Sequence, residues 1–475
     1  MRTSAGALPL LWIVLGAALP ALGGETWFDD ELAGDHFVAD TLPCEVPTTA
    51  DTLPCEVPTT TAAPCIGELP CDATASQGTG HAASPYDGPL CTRAALSGNW
   101  GGFRDSLAGD GVTFWGDLTQ YYQGVASGGS AQRFVYGGRG DYLIDLNTEK
   151  LGLWKGGFLD LRGETRLGQD TNGIDGTVSP TNIGMLFPYP NRDVTALTGV
   201  QYTQALSEEL LVFAGKLNVF DGTPTTYAQG KRLNRFSNAA LAFNLAAILV
   251  PPSTLGAGFT TLKDGEQEFL FMVLDPHYTP TTSGFEKFFD NGVLLFGEYQ
   301  IKTPWFGLPG HNAVGFVYSN ASRLSLASNW WLTLPVAPGP LPRVSDTWTL
   351  TYRFDQVVYE RKSNPKQTWL LEGQAGLSDG DANPAQWFVS LGLTGTGWIE
   401  SRPADTFGVG YYHLGITDKG PLPVLGFGGE DGVELYYNVA VTPWFHVTPD
   451  FQVIDPSNSR TDTSVLVGLR ARLTF

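Results

Sequence analysis

From Val112 to Phe475 the chain alternates apolar and polar side chains in short segments divided by Gly, Pro, Asn and Asp. Such alternation sends successive side chains to opposite faces of an extended strand. Sixteen segments fit: residues 112–123, 134–147, 156–168, 194–206, 210–220, 239–249, 268–274, 292–302, 312–319, 346–360, 368–377, 386–397, 406–414, 433–442, 445–454 and 463–475. Two fit least well. Segment 312–319 is short, and 239–249 is evenly apolar, a pattern that does not separate strand from helix.

The last segment, TSVLVGLRARLTF, is the most explicit. Val465, Val467, Leu469, Ala471, Leu473 and Phe475 share one face; Leu466, Gly468, Arg470, Arg472 and Thr474 share the other. Elsewhere Asp160, Arg162, Glu164 and Arg166 lie opposite Leu159, Leu161 and Leu167, and Glu298 and Lys302 lie opposite Leu295, Tyr299 and Ile301. Arg353 opposes Trp348, Leu350, Tyr352 and Phe354. Lys216 opposes Phe213 and Leu217, and Glu372 opposes Trp369 and Leu371.

A two-sided soluble sheet predicts the same alternation. The ends of the chain favour a membrane setting. Arg2 precedes the apolar stretch from Leu8 to Gly24, which reads as a secretory signal peptide over residues 1–24. A terminal amphipathic strand ending in Phe475 is the closing strand expected of an outer-membrane barrel, where the assembly machinery reads that aromatic end. The expected fold is therefore all-β: a transmembrane antiparallel β-barrel of 16 strands, with a disordered N-terminal spacer. A charge facing lipid at mid-bilayer costs about 2–4 kcal/mol, so the charged faces belong in the lumen. Trp115, Trp369, Trp387 and Trp444, near strand ends, suit interfacial girdles.

Composition agrees. Charged residues make up only 16%, aromatics 12%, and mean hydropathy is −0.06, as expected of a lipid-facing stripe balanced by a polar lumen. The net charge of −20 is uneven: residues 25–92 hold twelve acids and no Lys or Arg, while from Arg93 onward 27 bases face 36 acids. No basic patch points to nucleic acid. Residues 25–92 also carry the tandem repeat DTLPCEVPTTA and DTLPCEVPTTT, whose prolines and threonines offer no core face and read as a spacer. All five cysteines, Cys44, Cys55, Cys65, Cys71 and Cys91, lie there. An odd number leaves a thiol for a disulfide or other envelope contact between molecules, and the spacings match no zinc site. The barrel is thus expected over 93–475.

Enzyme motifs are missing: no G-x-S-x-G elbow, HExxH, P-loop or C-x-x-C occurs, and the six histidines show no ligand spacing. No cofactor or metal is expected. Arg139-Gly140-Asp141 resembles an adhesion tripeptide, but it falls inside a predicted strand and is discounted. The long loops 169–192 and 329–343 are expected to fold into the lumen or over its mouth.

Several motifs occur in an order that resembles the OprB-type carbohydrate-selective porins. They are LSGNWGGFRDSLAGDGVTFWGDLTQYYQG (Leu96 to Gly124), DLNTEKLGLWKGG, FAGKLNVFDG and RFSNAAL, then SRPADTFGVGYYH, VELYYNVAVTPWFHVTPDFQVIDPS and the terminal GLRARLTF. The resemblance spans residues 94–475 and departs between Leu249 and Asp264. It implies an outer-membrane barrel through which sugars diffuse. Two alternatives stand beside it: a structural, envelope-anchored barrel with little conductance, and a general non-selective porin. Sugars require forked donors and aromatic surfaces with weak binding. The candidate pore-lining residues are Asp160, Arg162, Glu164, Arg166, Lys216, Glu298, Lys302, Arg353, Glu372, Arg470 and Arg472. Arg133, Arg139, Arg192, Arg232 and Arg235 are assigned to loops or the rim. Expected partners are sugars, outer-membrane lipid and the barrel-assembly machinery.

Overall fold

A computed structural model describes residues 84–189, 193–219, 235–328 and 342–475. The signal segment, the four cysteines from Cys44 to Cys71, Arg192, Arg232 and most of loop 329–343 lie outside these residues. Among the described residues, no helix is long and apolar enough to cross a membrane.

Sixteen strands close into one antiparallel barrel. They are β1 (Val112–Ser127), β2 (Phe134–Asn147), β3 (Gly157–Gly168), β4 (Val194–Ala205), β5 (Leu210–Asn218), β6 (Ser253–Lys263), β7 (Glu266–Leu274) and β8 (Leu294–Lys302). The second half is β9 (Gly310–Ser319), β10 (Thr347–Arg361), β11 (Asn364–Ser378), β12 (Ala385–Thr396), β13 (Thr406–Ile416), β14 (Glu430–Thr442), β15 (Phe445–Asp455) and β16 (Ser464–Thr474). Each pairs with its sequence neighbours, and β1 pairs with β16 to close the ring. Closure leaves no unpaired edge strand in the wall.

Fifteen predicted strands coincide with observed ones. Segment 239–249 does not: it forms a short α-helix, Ala239–Ala242, and a 3-10 turn, Leu245–Ala247. The strand that completes the sixteen is Ser253–Lys263, in the stretch where the family likeness fades. The cause is local. Asn238 Oδ1 accepts the Ala240 amide at 2.9 Å and Asn244 Oδ1 accepts the Ala246 amide at 3.1 Å, two side-chain caps that start helical turns in succession.

The strand faces sort as the alternation requires. On β16, Val467 and Leu469 are exposed while Leu466 and Arg470 are buried. Arg139 and Asp141 on β2 are both fully buried, so the adhesion-like tripeptide is a wall segment. Arg139 was expected at a loop or rim; its place in mid-strand puts it deep in the lumen instead. Trp115 was expected in a girdle. It shares the face of the buried Asp117, Thr119 and Tyr121, and the Arg472 guanidinium lies 5.8 Å from its ring.

At the end where residue 84 and the C-terminal Phe475 lie, the connections are short. A foot formed by residues 84–111 braces the seam there. Leu96 N donates to Thr474 O at 2.8 Å, and Phe475 N donates to Gly116 O at 2.8 Å. Arg104, in helix α1 (Phe103–Gly109), donates to Phe114 O at 2.9 Å and Phe475 O at 3.1 Å while stacking 3.8 Å over Tyr86. The aromatic C-terminus is thus clasped by β1 and the foot. Residues 84–92, assigned on sequence to the spacer, take part: Trp444 Nε1 donates to Leu90 O at 2.7 Å.

Candidate functional site

At the opposite end the loops are longer, and two of them enter the lumen. The first, residues 169–189, follows β3. Its side chains brace one another: Thr181 Oγ1 donates to Asp175 at 2.6 Å, and Asn172 and Asn182 exchange bonds of 2.9 Å through side chain and main chain. Arginines of the wall hold its carbonyls. Arg139 donates to Gly184 O at 3.0 Å and Phe187 O at 2.7 Å, and Arg166 donates to Met185 O at 2.8 Å and Leu186 O at 3.1 Å.

Behind these bonds lies an ion-pair lattice. Asp141 receives Arg139 at 2.7 Å and Arg162 at 2.9 Å, and Glu164 receives Arg162 at 3.2 Å and also Arg139. Charges this buried require such complete pairing, because desolvation otherwise outweighs attraction.

The second segment, residues 235–252, is mainly apolar. Phe236, Ala239, Ala240, Leu241, Leu245 and Ala246 are buried against lumen-side residues that include Phe388, Tyr412, Tyr436 and Leu466. Phe236 meets Tyr436 edge to face at 5.1 Å. Gly408 and Gly410 permit this approach: a Cβ at Gly408 would meet Tyr436 at 2.3 Å, and one at Gly410 would meet Leu241 at 2.8 Å. Among its polar bonds are those from Arg470, which donates to Arg235 O at 2.7 Å and Ser237 Oγ at 3.3 Å. Arg235, assigned on sequence to a loop or rim, pairs instead with wall residue Glu372 at 3.4 Å.

The eleven candidate residues therefore separate by what they hold. Arg162, Glu164, Arg166, Glu372 and Arg470 sit beneath or beside the inserted segments. The Lys216 ammonium is enclosed by the carbonyls of Leu197 (2.7 Å), Pro280 (2.9 Å) and Thr282 (2.8 Å), which ties a third loop to the wall. Glu298, Lys302, Arg353 and Arg472 bond to other strands of the wall. Arg353 makes a forked pair with Glu298 at 2.7 and 3.0 Å and reaches Gln300 at 2.9 Å, and Gln267 also donates to Glu298 at 3.2 Å. Lys302 lies 3.4 Å from Glu266, and Arg472 bonds Asp117 across the seam at 2.7 Å. Asp160 lies half-buried on β3.

Sequence reasoning placed Arg139 at a loop or rim and missed Asp141, Gln267, Gln300, Glu430, Glu434 and Gln452 as site residues. For Glu434 a signal existed, since it alternates with the exposed Val433 and Leu435.

A closed sixteen-strand wall with segments folded into its lumen is porin architecture. The family model "Carbohydrate-selective porin, OprB family" matches residues 131–475. The chain belongs to the OprB family. It is an outer-membrane β-barrel channel through which sugars diffuse. Among solved structures, a high-pH form of Pseudomonas putida OprB aligns with a TM-score of 0.70 at 20% identity, over 80% of this chain and 98% of that one. A low-pH form of Pseudomonas putida OprB gives 0.51 at 17% identity, over the same shares. No curated protein matched the sequence. As in other outer-membrane barrels, the short turns mark the periplasmic end of this OprB member and the long loops its extracellular end.

Proposed function

We propose that sugars cross this OprB member through the part of the lumen left beside the two inserted segments, and that the strand-bonded charges are the ones that meet solute. The observation carrying this reading is the contrast in engagement. Arg166 and Arg470 are buried and donate to oxygens of the inserted segments, whereas Arg353 and Arg472 bond the wall carboxylates Glu298 and Asp117 and keep about 13% of their side-chain surface open. The Arg353–Glu298–Gln300 array offers donors and acceptors side by side, which suits neighbouring hydroxyls and gives bare ions little net charge to follow. No covalent step belongs to this reading.

In the same reading residues 1–24 direct export, and the spacer assigned to residues 25–92 leads into the barrel, with 84–92 packed as part of the foot. Cys91 is exposed at the edge of the foot, where it could join another envelope component.

Sugar-dependent block of single-channel current tests the assignment. Arg353→Ala and Arg472→Ala should weaken block about tenfold, a change of about 1.4 kcal/mol. Arg162→Ala and Arg166→Ala should mainly alter open-channel noise through the first segment. Unchanged block in Arg353→Ala and Arg472→Ala would refute the assignment.

A further inference from the structure

Strand β14 carries two carboxylates on its lumen face, four residues apart, and neither has a basic partner among the contacts that hold it. Glu430 accepts the amides of Val178 at 2.6 Å and Ser179 at 2.9 Å, together with the Tyr412 hydroxyl at 3.0 Å. Glu434 accepts the amides of Ser237 at 2.6 Å and Asn238 at 2.9 Å. Each carboxylate thus receives two successive main-chain donors, and each receives them from a different inserted segment.

Those segments are also bonded to one another at this point. Ile183 N donates to Ser237 O and Ala239 N to Pro180 O, both at 2.8 Å, and Ser179 Oγ donates to Asn238 Oδ1 at 2.8 Å. Gln452, on adjacent β15, accepts from Asn238 at 3.1 Å and donates to Thr181 O at 3.0 Å. The two segments form one body, and β14 is the post on which it hangs.

We propose that Glu430 and Glu434 are positioning residues for sugar passage: together they fix the inserted body against the wall and so set the cross-section of the pore. The proposal rests on the reading of the lumen as a sugar path. It follows from the chemistry of the contact. Both oxygens of each carboxyl group accept main-chain donors, and Glu434 also lies against the Asp450 carboxyl of β15. An amide pair pointing into a buried site without an acceptor costs the desolvation of both donors. Removing either carboxylate therefore makes the docked position unfavourable without touching the barrel ladder. Glutamine supplies one acceptor oxygen, but its NH2 group opposes the second main-chain donor, so its effect should be intermediate.

Planar-bilayer recordings of the full-length protein, with glucose as the probe, decide the matter. Glu434→Ala and Glu430→Ala should raise single-channel conductance about twofold or more and weaken glucose block, while Glu434→Gln falls between them and wild type. The unboiled-versus-boiled gel shift checks that each variant still forms a barrel. Should an alanine variant fail that check, Glu430→Gln and Glu434→Gln carry the test alone. Folded variants with wild-type conductance and block would overturn the proposal. A wild type that shows no glucose block would instead overturn the sugar-path reading on which it rests.

Discussion

The two inserted segments are held by opposite chemistry. Residues 169–189 are gripped at their carbonyls by Arg139 and Arg166, whose charges are in part neutralised by acids on the same wall. Residues 235–252 are gripped by apolar burial around Phe236 and Leu241, with polar anchors at the margin. The first is a lattice that fails when one charge is left alone. The second is a packed surface that fails in proportion to the volume removed. A charge count on the lumen face does not distinguish a tether from a solute site; only the partner does.

The comparison can be broken most sharply at Arg139. Arg139→Ala should leave the buried carboxylates Asp141 and Glu164 sharing the single charge of Arg162 and cost about 3–5 kcal/mol. Its checks are the denaturant midpoint of the detergent-solubilised barrel and proteolysis within residues 169–189. A loss below about 1 kcal/mol would mean that the lattice relaxes around water. Phe236→Ala should cost about 3 kcal/mol through its cavity, and hydrogen exchange should rise most in 235–249 and, through the bonds that join the segments, to a smaller extent in 169–189. A rise confined to 235–249 would show that the segments open separately.

Much of this structure was legible in sequence. Periodicity located fifteen strands, because a wall with lipid on one side and water on the other keeps strict alternation. It failed at 239–249, whose apolar residues are buried all round inside the lumen and so lose the period of two. The asparagines at 238 and 244 were the missed signal: each begins a turn that a strand would not tolerate. Ser253–Lys263 was overlooked for the complementary reason. Its glycines and threonines, STLGAGFTTLK, give little apolar contrast between faces. The candidate site was legible as a face, not as a set of roles. Alternation pointed Arg166, Arg353 and Arg470 inward alike, and nothing local to them foretold which would meet a loop carbonyl.

A smaller effect should appear at the extracellular loops. Asp175, outside the strands, is fully buried, and desolvation pushes its carboxyl up to about 6 despite bonds from Thr181 and Thr177. A raised carboxyl pKa means that the folded loop favours the protonated form. Its contribution is fully present below the ordinary Asp value and is lost as pH rises through about 6. Proteolytic protection of 169–189 should therefore be greater at pH 4.5 than at pH 7.5, and Asp175→Asn should flatten that difference. A protection profile that is flat in wild type, or unchanged by the substitution, would remove Asp175 as its source.

That the lumen conducts sugar is tested most directly by liposome swelling. Vesicles carrying the purified protein and diluted into an isotonic sugar solution should swell at a rate that falls with sugar size. They should swell faster in a neutral hexose than in a charged solute of equal mass. Swelling indistinguishable from protein-free vesicles would contradict the channel itself, and equal rates for neutral and charged solutes would contradict its preference for sugars.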